Sequence, residues 1–156
     1  MRNKLKVELD KLIDKKVLEV NAGSGGGSII NIEFGESLNI SPKSFGSYKI
    51  FEGDFSIMIY CAWRLESNES VLTSWNEDNS DNGPIVTNLK NLINNRVISY
   101  EISDLFDLKI FFEEQKALTI FCDLSTEQEF ECNWFLRNNN NIYSITNKYI
   151  CEQEAK

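Results

Sequence analysis

Two kinds of apolar spacing run along this chain, one typical of helices and one typical of strands. A helix is predicted over residues 3–14, where one face carries Leu5, Leu9, Leu12 and Ile13. Residues 17–22 and 29–34 have the two-residue spacing of strands, and the glycine-rich stretch 23–28 between them is typical of a turn. The chain therefore begins with a predicted helix followed by a predicted hairpin.

The clearest strand pattern lies in the middle of the first half. A single strand is predicted over residues 55–65, where every second residue is apolar: Phe55, Ile57, Ile59, Cys61, Trp63 and Leu65. A second strand, residues 71–75, is predicted to pair back on it after a turn at Ser67-Asn68. One wholly apolar face and one mixed face indicate a sheet that covers a core on one side.

The second half repeats this order after the polar stretch 76–83. A helix is predicted from about 85 to 93, with Pro84 in its first turn and Asn82 as a candidate cap. Five strands are then predicted, at residues 96–102, 107–113, 117–123, 131–137 and 142–148. About ten strands and two helices predict an α+β fold that is mainly antiparallel β.

The two halves also match residue by residue. Residues 12–20 align with 92–100, and three later segments keep the same order: Ile59-Tyr60-Cys61 with Ile120-Phe121-Cys122, Trp63-Arg64-Leu65 with Trp134-Phe135-Leu136, and Val71-Leu72-Thr73-Ser74 with Ile142-Tyr143-Ser144-Ile145. A repeated module must bury its apolar face on its neighbour. We therefore predict one domain, residues 1–150, built of two pseudo-symmetric helix-plus-sheet units (about 3–81 and 84–148) and followed by a C-terminal tail at 151–156.

The acidic net charge of the chain limits the kinds of molecule that it is expected to bind. The chain has 156 residues with 24 acidic and 16 basic side chains, a net charge of −8. Because the Lys and Arg residues are scattered, no basic stripe for phosphates is predicted, and direct nucleic-acid binding is not expected. An acidic surface suits a basic protein partner, and the alternative is that the charge only keeps the protein soluble.

The residue types also limit the chemistry. The chain has no histidine, which removes the commonest general base and the usual zinc ligand. The four cysteines are widely spaced, so we expect reduced, buried thiols. We find no apolar leader and no apolar run long enough for a membrane helix, so we expect a cytoplasmic protein that does not contact membranes.

Several segments resemble catalytic or ligand-binding motifs without completing them. The glycines at 23–27 precede a strand pattern, not the helix and Lys that a phosphate loop needs. The acidic pairs Glu77-Asp78 and Glu113-Glu114 lie in polar segments, where carboxylates are usually solvated. Residues 78–83 begin like a calcium loop but lack its final Glu. We therefore expect no catalytic residues, no cofactor and no metal site.

The tryptophans divide into two kinds. Trp63 and Trp134 share one position of the repeat on an apolar strand face, so both are predicted to be core residues. Trp75 ends a strand and runs into acidic residues, so it is either a binding residue or the edge of the core.

Several packing motifs carry a resemblance to a known family. They are Phe34-Gly35, Cys61-Ala62-Trp63-Arg64-Leu65, Val71-Leu72-Thr73-Ser74-Trp75, and in the second half Asp107-Leu108-Lys109-Ile110-Phe111-Phe112, Leu118-Thr119-Ile120-Phe121 and Asn133-Trp134. From about residue 12 to 148 the chain resembles a widespread family of small uncharacterised bacterial proteins with an internally duplicated Trp-Arg strand motif. It departs from that pattern at Phe135, where a second Arg is typical. Members are often encoded beside polymorphic toxins and are regarded as immunity proteins.

The resemblance implies a function in bacterial competition, of the toxin–antitoxin kind. The expected function is a non-enzymatic immunity-type protein that binds and neutralises a cognate toxin with a basic surface, such as a nuclease. The predicted partner-binding residues are Glu66, Glu69, Trp75, Glu77, Asp78 and Asp81, with the acidic segment 123–131 as the next candidate. The alternative is a small-ligand-binding or scaffold module with a pocket between the two repeats.

Overall fold

The described residues form two large antiparallel sheets, a separate two-stranded hairpin, two short α-helices and a 3-10 turn at Glu113–Gln115. The computed structural model describes residues 1–23, 25–36, 43–45, 48–50, 52–125, 132–146 and 150–154. In chain order the elements are α1 (Arg2–Asp10), β1 (Val17–Asn21), β2 (Ile30–Phe34), β3 (Lys43–Phe45), β4 (Tyr48–Ile50), β5 (Phe55–Ile59), β6 (Ala62–Ser67), β7 (Ser70–Ser74), α2 (Pro84–Lys90), β8 (Val97–Ile102), β9 (Leu108–Phe112), β10 (Ala117–Phe121), β11 (Cys132–Arg137), β12 (Asn141–Thr146) and β13 (Ile150–Glu154). The prediction of a mainly antiparallel β fold with few helices is confirmed.

Each of the two large sheets takes strands from both halves of the chain. The six-stranded sheet has the order β1-β2-β5-β11-β12-β13, and the five-stranded sheet has the order β7-β6-β10-β9-β8. Thus β1, β2 and β5 are joined by the later hairpin β11–β12, whereas β8, β9 and β10 are joined by the earlier hairpin β6–β7. The short hairpin β3–β4 was not predicted.

The single strand predicted over residues 55–65 is two strands in different sheets. The chain leaves the six-stranded sheet after β5, turns at Tyr60 and Cys61, and enters the five-stranded sheet as β6. The backbone N–H groups of Tyr60 and Cys61 both donate to the carbonyl of Asn133, at 2.8 and 3.1 Å. The prediction was wrong because both strands direct their apolar side chains into one core, so the alternation continues through the crossover.

That core lies between the two sheets and is completed by the helices. Its largest fully buried side chains are Trp63, Trp134 and Phe34. Leu5 and Leu9 of α1, and Ile85 and Leu89 of α2, belong to the same cluster. Removing these apolar surfaces from water supplies the main driving force for packing the helices on the sheets.

Both helices are shorter than predicted and end in equivalent turns. After α1 the turn ends at Asp14, and after α2 it ends at Asn94, with φ of 69° and 71°. Asp and Asn adopt this left-handed conformation at lower cost than most residues. The Asp14 N–H donates to the carbonyl of Val97 at 2.9 Å, and the Asn94 N–H donates to that of Val17 at 2.8 Å. Each turn is therefore tied to the first strand of the other half.

The helix starts and the chain end differ partly from prediction. Pro84 lies in the first turn of α2 as predicted, but the residue preceding the helix is Gly83, and no side chain caps it. Residues 151–156 were predicted as a tail, whereas Ile150–Glu154 forms strand β13 beside β12. Among the described residues, none of the helices is long and apolar enough to cross a membrane.

Candidate functional site

The loop that connects β7 to α2 carries four of the six predicted site residues, and all four are exposed. We call residues 75–83 the acidic loop. Trp75 is 46 % exposed, and the carboxylates of Glu77, Asp78 and Asp81 also face solvent. In the part of the chain that the structure describes, none of these three carboxylates forms an ion pair. The loop therefore combines an exposed aromatic ring with uncompensated negative charge.

Hydrogen bonds hold the start of the acidic loop against β6 and β7. The Trp75 N–H donates to the carbonyl of Trp63 at 3.0 Å, and the Glu77 N–H donates to that of Ser74 at 3.2 Å. The Thr73 hydroxyl, which is buried, donates to Glu77 at 2.7 Å. Trp75 therefore projects from a fixed point of the sheet.

A tight turn around Asp78 fixes the second part of the loop. The Ser80 N–H and the Ser80 hydroxyl donate to the Asp78 carboxylate at 3.0 and 2.9 Å. These two hydrogen bonds, the backbone one being the stronger influence, lower the pKa of Asp78 below its usual value. Gly83 closes the turn, since a Cβ there would lie 2.5 Å from the Asp78 carbonyl oxygen. The resemblance to a calcium loop therefore reflects an internally hydrogen-bonded turn.

The glycine-rich loop between β1 and β2 packs beside the acidic loop. It is the predicted hairpin connection, because β1 and β2 pair antiparallel. Asn79 donates to the carbonyl of Gly27 at 2.6 Å, and a Cβ on Gly23 would lie 3.7 Å from Asp81. Gly23 has a φ of 131°, which side-chain-bearing residues rarely adopt. The acidic loop is thus supported from two sides, by β7 and by the glycine-rich loop.

The remaining predicted binding residues lie at the other end of β7. Glu66 lies near the end of β6 and Glu69 lies in the β6–β7 turn. The five residues of β7 separate Glu69 from Trp75, a span of about 20 Å. The Glu66 carboxylate forms ion pairs with Arg64 and with Lys109, the latter at 3.0 Å. The structure therefore divides the predicted set into two groups instead of joining it into one patch.

The environment of Glu66 differs from that of the loop carboxylates. Burial alone would raise the pKa of Glu66, but hydrogen bonds from Lys109 and Arg64 outweigh it and hold that pKa below its usual value. The Arg64 guanidinium lies 4.9 Å from the ring centre of Phe121, and the Lys109 ammonium lies 5.4 Å from that of Phe111. The sequence gives no sign of this cluster, because Lys109 reaches Glu66 only through the pairing of β9, β10 and β6.

A second ion pair that the sequence did not indicate lies on the outer side of the six-stranded sheet. The Glu33 side chain is 5 % exposed and pairs with Arg137 at 3.2 Å. It also accepts hydrogen bonds from the Gly53 N–H at 2.9 Å and from Asn31 at 2.7 Å. Burial raises the pKa of Glu33 in spite of these donors. Three donors satisfy this carboxylate, which fits a role in packing.

The other predicted residues have structural partners. Trp63 and Trp134 are fully buried, as predicted, and their indole N–H groups donate to the carbonyls of Ser28 at 2.9 Å and Phe106 at 3.1 Å. Glu113 accepts a hydrogen bond from the Arg96 N–H at 2.9 Å, and Glu114 pairs with Lys116 at 2.6 Å. Residues 126–131 of the second acidic segment lie outside the described residues.

The described surface also has one depression between the two halves. It has a volume of about 440 Å³ and is lined by Asn3, Lys4, Val7, Glu8, Asn141 and Tyr143. Glu8 is engaged by Lys11 at 2.6 Å and by Asn138 at 2.7 Å. Across the residues that the structure describes, no group of three or more Cys, Asp or Glu side chains is placed to hold a metal ion.

Comparison with known proteins gives no relative: no family model, no curated protein and no solved structure matches the chain.

Proposed function

We propose that this is a non-enzymatic binding protein of the immunity type, which uses the acidic loop to bind and neutralise a toxin with a basic surface. The observation that carries the proposal is the exposure of Trp75 beside three carboxylates that have no cationic partner in the described structure. The assignment to the immunity class rests on the resemblance of the packing motifs.

Each part of the loop would have its own role in binding. A tryptophan that becomes buried against a partner removes a large apolar surface from water, and Trp is enriched among residues that dominate binding energy. Exposed carboxylates at the rim attract a basic partner and raise the association rate. A nuclease is one such partner, because the groove that binds its phosphates is basic and can accept carboxylates.

The hydrogen bonds within the loop favour tight binding. The bonds from Trp75 to Trp63, from Thr73 to Glu77 and from Ser80 to Asp78 hold its conformation before a partner arrives. A surface that is already ordered loses less conformational entropy on association. The hydrogen bonds from Ser80 also lower the pKa of Asp78, which favours its charged form.

A second candidate function is small-ligand binding in the depression between α1 and β12. Its volume of about 440 Å³ lies within the range of ligand sites. The depression is open, however, and both oxygens of Glu8 are engaged by Lys11 and Asn138. We therefore favour the acidic loop.

We infer in addition that the two halves are copies of one unit that have exchanged their last hairpins. The strand order supports this inference, since β6–β7 joins β8–β10 and β11–β12 joins β1, β2 and β5. Asp14 and Asn94 support it too, since each has a left-handed conformation and donates to a strand of the other half.

The proposal is tested by surface-plasmon measurements against the product of the neighbouring gene. Trp75→Ala should weaken binding at least about 30-fold, or about 2 kcal/mol, mainly through faster dissociation. Ile98→Ala is the matched control, because Ile98 is 51 % exposed but belongs to β8. Equal binding by the two variants, or the absence of binding by wild-type protein, would contradict the proposal.

A further inference from the structure

The two crossovers between the sheets bring two cysteines together. Cys61 lies where the chain passes from β5 to β6, and Cys122 lies where it leaves β10 on its way to β11. Strands β6 and β10 pair antiparallel, and their last pair is Ala62 with Phe121. Cys61 and Cys122 are each one residue further on, so they face each other at the end of this ladder.

The backbone bonds at this pair favour a close approach of the side chains. The Cys61 N–H donates to the carbonyl of Asn133 at 3.1 Å, and the Cys122 N–H donates to Asp107 at 2.7 Å. Neither N–H is used between the two cysteines. Opposed residues of this kind have Cα atoms about 4.5 Å apart, and disulfides span Cα distances of about 4.4–6.8 Å.

Asn133 holds both crossovers in place. It is 4 % exposed, and its carbonyl also accepts the Tyr60 N–H at 2.8 Å. Its side chain accepts the Asp123 N–H at 2.6 Å and donates to the Asp123 carbonyl at 3.2 Å. One buried residue therefore fixes the backbone next to Cys61 and the backbone next to Cys122.

The two thiols differ in acidity and are within reach of small molecules. The neighbouring Cys61 thiol lowers the pKa of Cys122, and the Cys122 thiol raises the pKa of Cys61. The Cys122 Sγ also donates to the carbonyl of Phe106 at 3.1 Å. The thiolate is the nucleophilic form of cysteine, so Cys122 is the more reactive of the two. Both residues are half-buried, and both are free thiols in the structure.

We propose that Cys61 and Cys122 form a site of reversible oxidation, at which a peroxide converts the two thiols to a disulfide that links the crossovers. The Cys122 thiolate attacks one peroxide oxygen and breaks the O–O bond, which leaves Cys122 as a sulfenic acid and releases water after protonation. The Cys61 sulfur then attacks the Cys122 sulfur, and the hydroxyl leaves with a proton as a second water. Two thiols are oxidised and one peroxide is reduced.

The link would strengthen the join between the two halves. Strand β6 belongs to the first half and β10 to the second, and the disulfide would close the ladder between them. A crosslink between residues that are far apart in sequence restricts the unfolded chain. We therefore expect the oxidised protein to have a higher Tm, and a thiol reductant to reverse the increase.

The test is disulfide mapping of the folded wild-type protein after treatment with hydrogen peroxide. Remaining thiols are alkylated, and peptides are analysed by mass spectrometry without reduction. We expect one disulfide, between Cys61 and Cys122, with a Tm increase of several degrees that a reductant reverses. A disulfide that involves Cys132 or Cys151, or four thiols that all remain free, would overturn the proposal.

Variants separate this pair from the neighbouring thiol. Cys132→Ser should form the same disulfide as wild type, whereas Cys61→Ser and Cys122→Ser should show no peroxide-dependent rise in Tm. Mapping of the wild-type protein stands even where a serine variant fails to fold. Loss of the disulfide in Cys132→Ser alone, with that variant folded, would move the reactive pair and contradict the assignment.

Discussion

The two ends of strand β7 carry carboxylates in opposite electrostatic situations. At one end, Glu66 lies on the face of the five-stranded sheet and pairs with Arg64 and Lys109. At the other end, Glu77 and Asp78 lie in the acidic loop, where uncharged groups are the only donors that contact them among the described residues. Five strand residues separate the two regions.

The difference shows that a carboxylate has different kinds of partner on the face of a sheet and in a loop. A sheet places side chains from neighbouring strands opposite one another, so an acid on its face meets cations from strands that are distant in sequence. A loop offers mainly backbone N–H groups and hydroxyls, which orient a carboxylate but leave its charge uncompensated. The loop carboxylates therefore remain available to attract a partner.

The largest expected effect concerns the support of the acidic loop. Trp63→Ala and Trp134→Ala should each lower the free energy of unfolding by about 3–5 kcal/mol, because both side chains are fully buried. Only Trp63 borders the loop, since its indole holds Ser28 and its carbonyl holds Trp75. Chemical unfolding measures the two losses.

Trp75 fluorescence distinguishes the two variants further. After correction for the fluorescence of the tryptophan that each variant lacks, we expect the quenching of Trp75 to change in folded Trp63→Ala. In folded Trp134→Ala we expect the quenching of Trp75 to remain as in wild type. A loss below about 1 kcal/mol in either variant would contradict the assigned core position.

The next largest effect distinguishes Glu66, which is paired with cations, from Glu77, which has no such partner among the described residues. Glu66→Gln should lower the free energy of unfolding by about 1 kcal/mol at pH 7, because Arg64 and Lys109 lose their partner. Glu77→Gln is the matched control and should stay within about 0.5 kcal/mol, since its amide oxygen can still accept the Thr73 hydroxyl.

The pH dependence of that effect has a definite sign. The pKa of Glu66 is lower in the folded than in the unfolded protein, so its contribution is present above the unfolded pKa of about 4.3. The contribution disappears as the pH falls through the folded pKa, where Glu66 becomes protonated. A difference between wild type and Glu66→Gln that persists at pH 2 would contradict the ion pairs.

A smaller effect is expected when the pKa values of Glu66 and Asp78 are compared at low and high salt. Both Glu66 and Asp78 have lowered pKa values, but cations lower the first and hydrogen bonds from Ser80 lower the second. Added salt should therefore raise the pKa of Glu66 towards its usual value and leave that of Asp78 nearly unchanged. NMR titration of the side-chain carboxyl carbons at low and high salt measures both, and equal responses would contradict the assigned causes.

The sequence predicted the elements of the fold more completely than their arrangement. Helix and strand periodicity located α1, β1, β2, β7 and α2 to within a few residues, because these patterns follow directly from backbone geometry. The alternation of apolar residues gives no sign of the crossover at Tyr60-Cys61, because the apolar side chains of β5 and β6 point into the same core. The placement of β6 beside β10 and of β11 beside β5 depends on long-range pairing, which periodicity does not contain.

The candidate site was predicted in part for a similar reason. The position of Trp75, at the end of a strand before acidic residues, left open whether it is a binding residue or the edge of the core. In the structure its side chain is 46 % exposed. The sequence also grouped Glu66 with the loop, because one of the two cations that compensate it, Lys109, is far away in sequence and comes close only through β9 and β10. Proximity in sequence therefore did not indicate which of the predicted carboxylates are paired with cations.

Association kinetics at two salt concentrations test whether the acidic loop attracts a basic partner. The triple variant Glu77→Gln, Asp78→Asn, Asp81→Asn should associate more slowly with the neighbouring gene product than wild type, and its rate should depend less on salt. The control triple Glu36→Gln, Glu101→Gln, Asp104→Asn changes net charge equally at exposed positions outside the loop and should keep most of the wild-type salt dependence. Identical association rates and salt dependence for the two triple variants would contradict the claim.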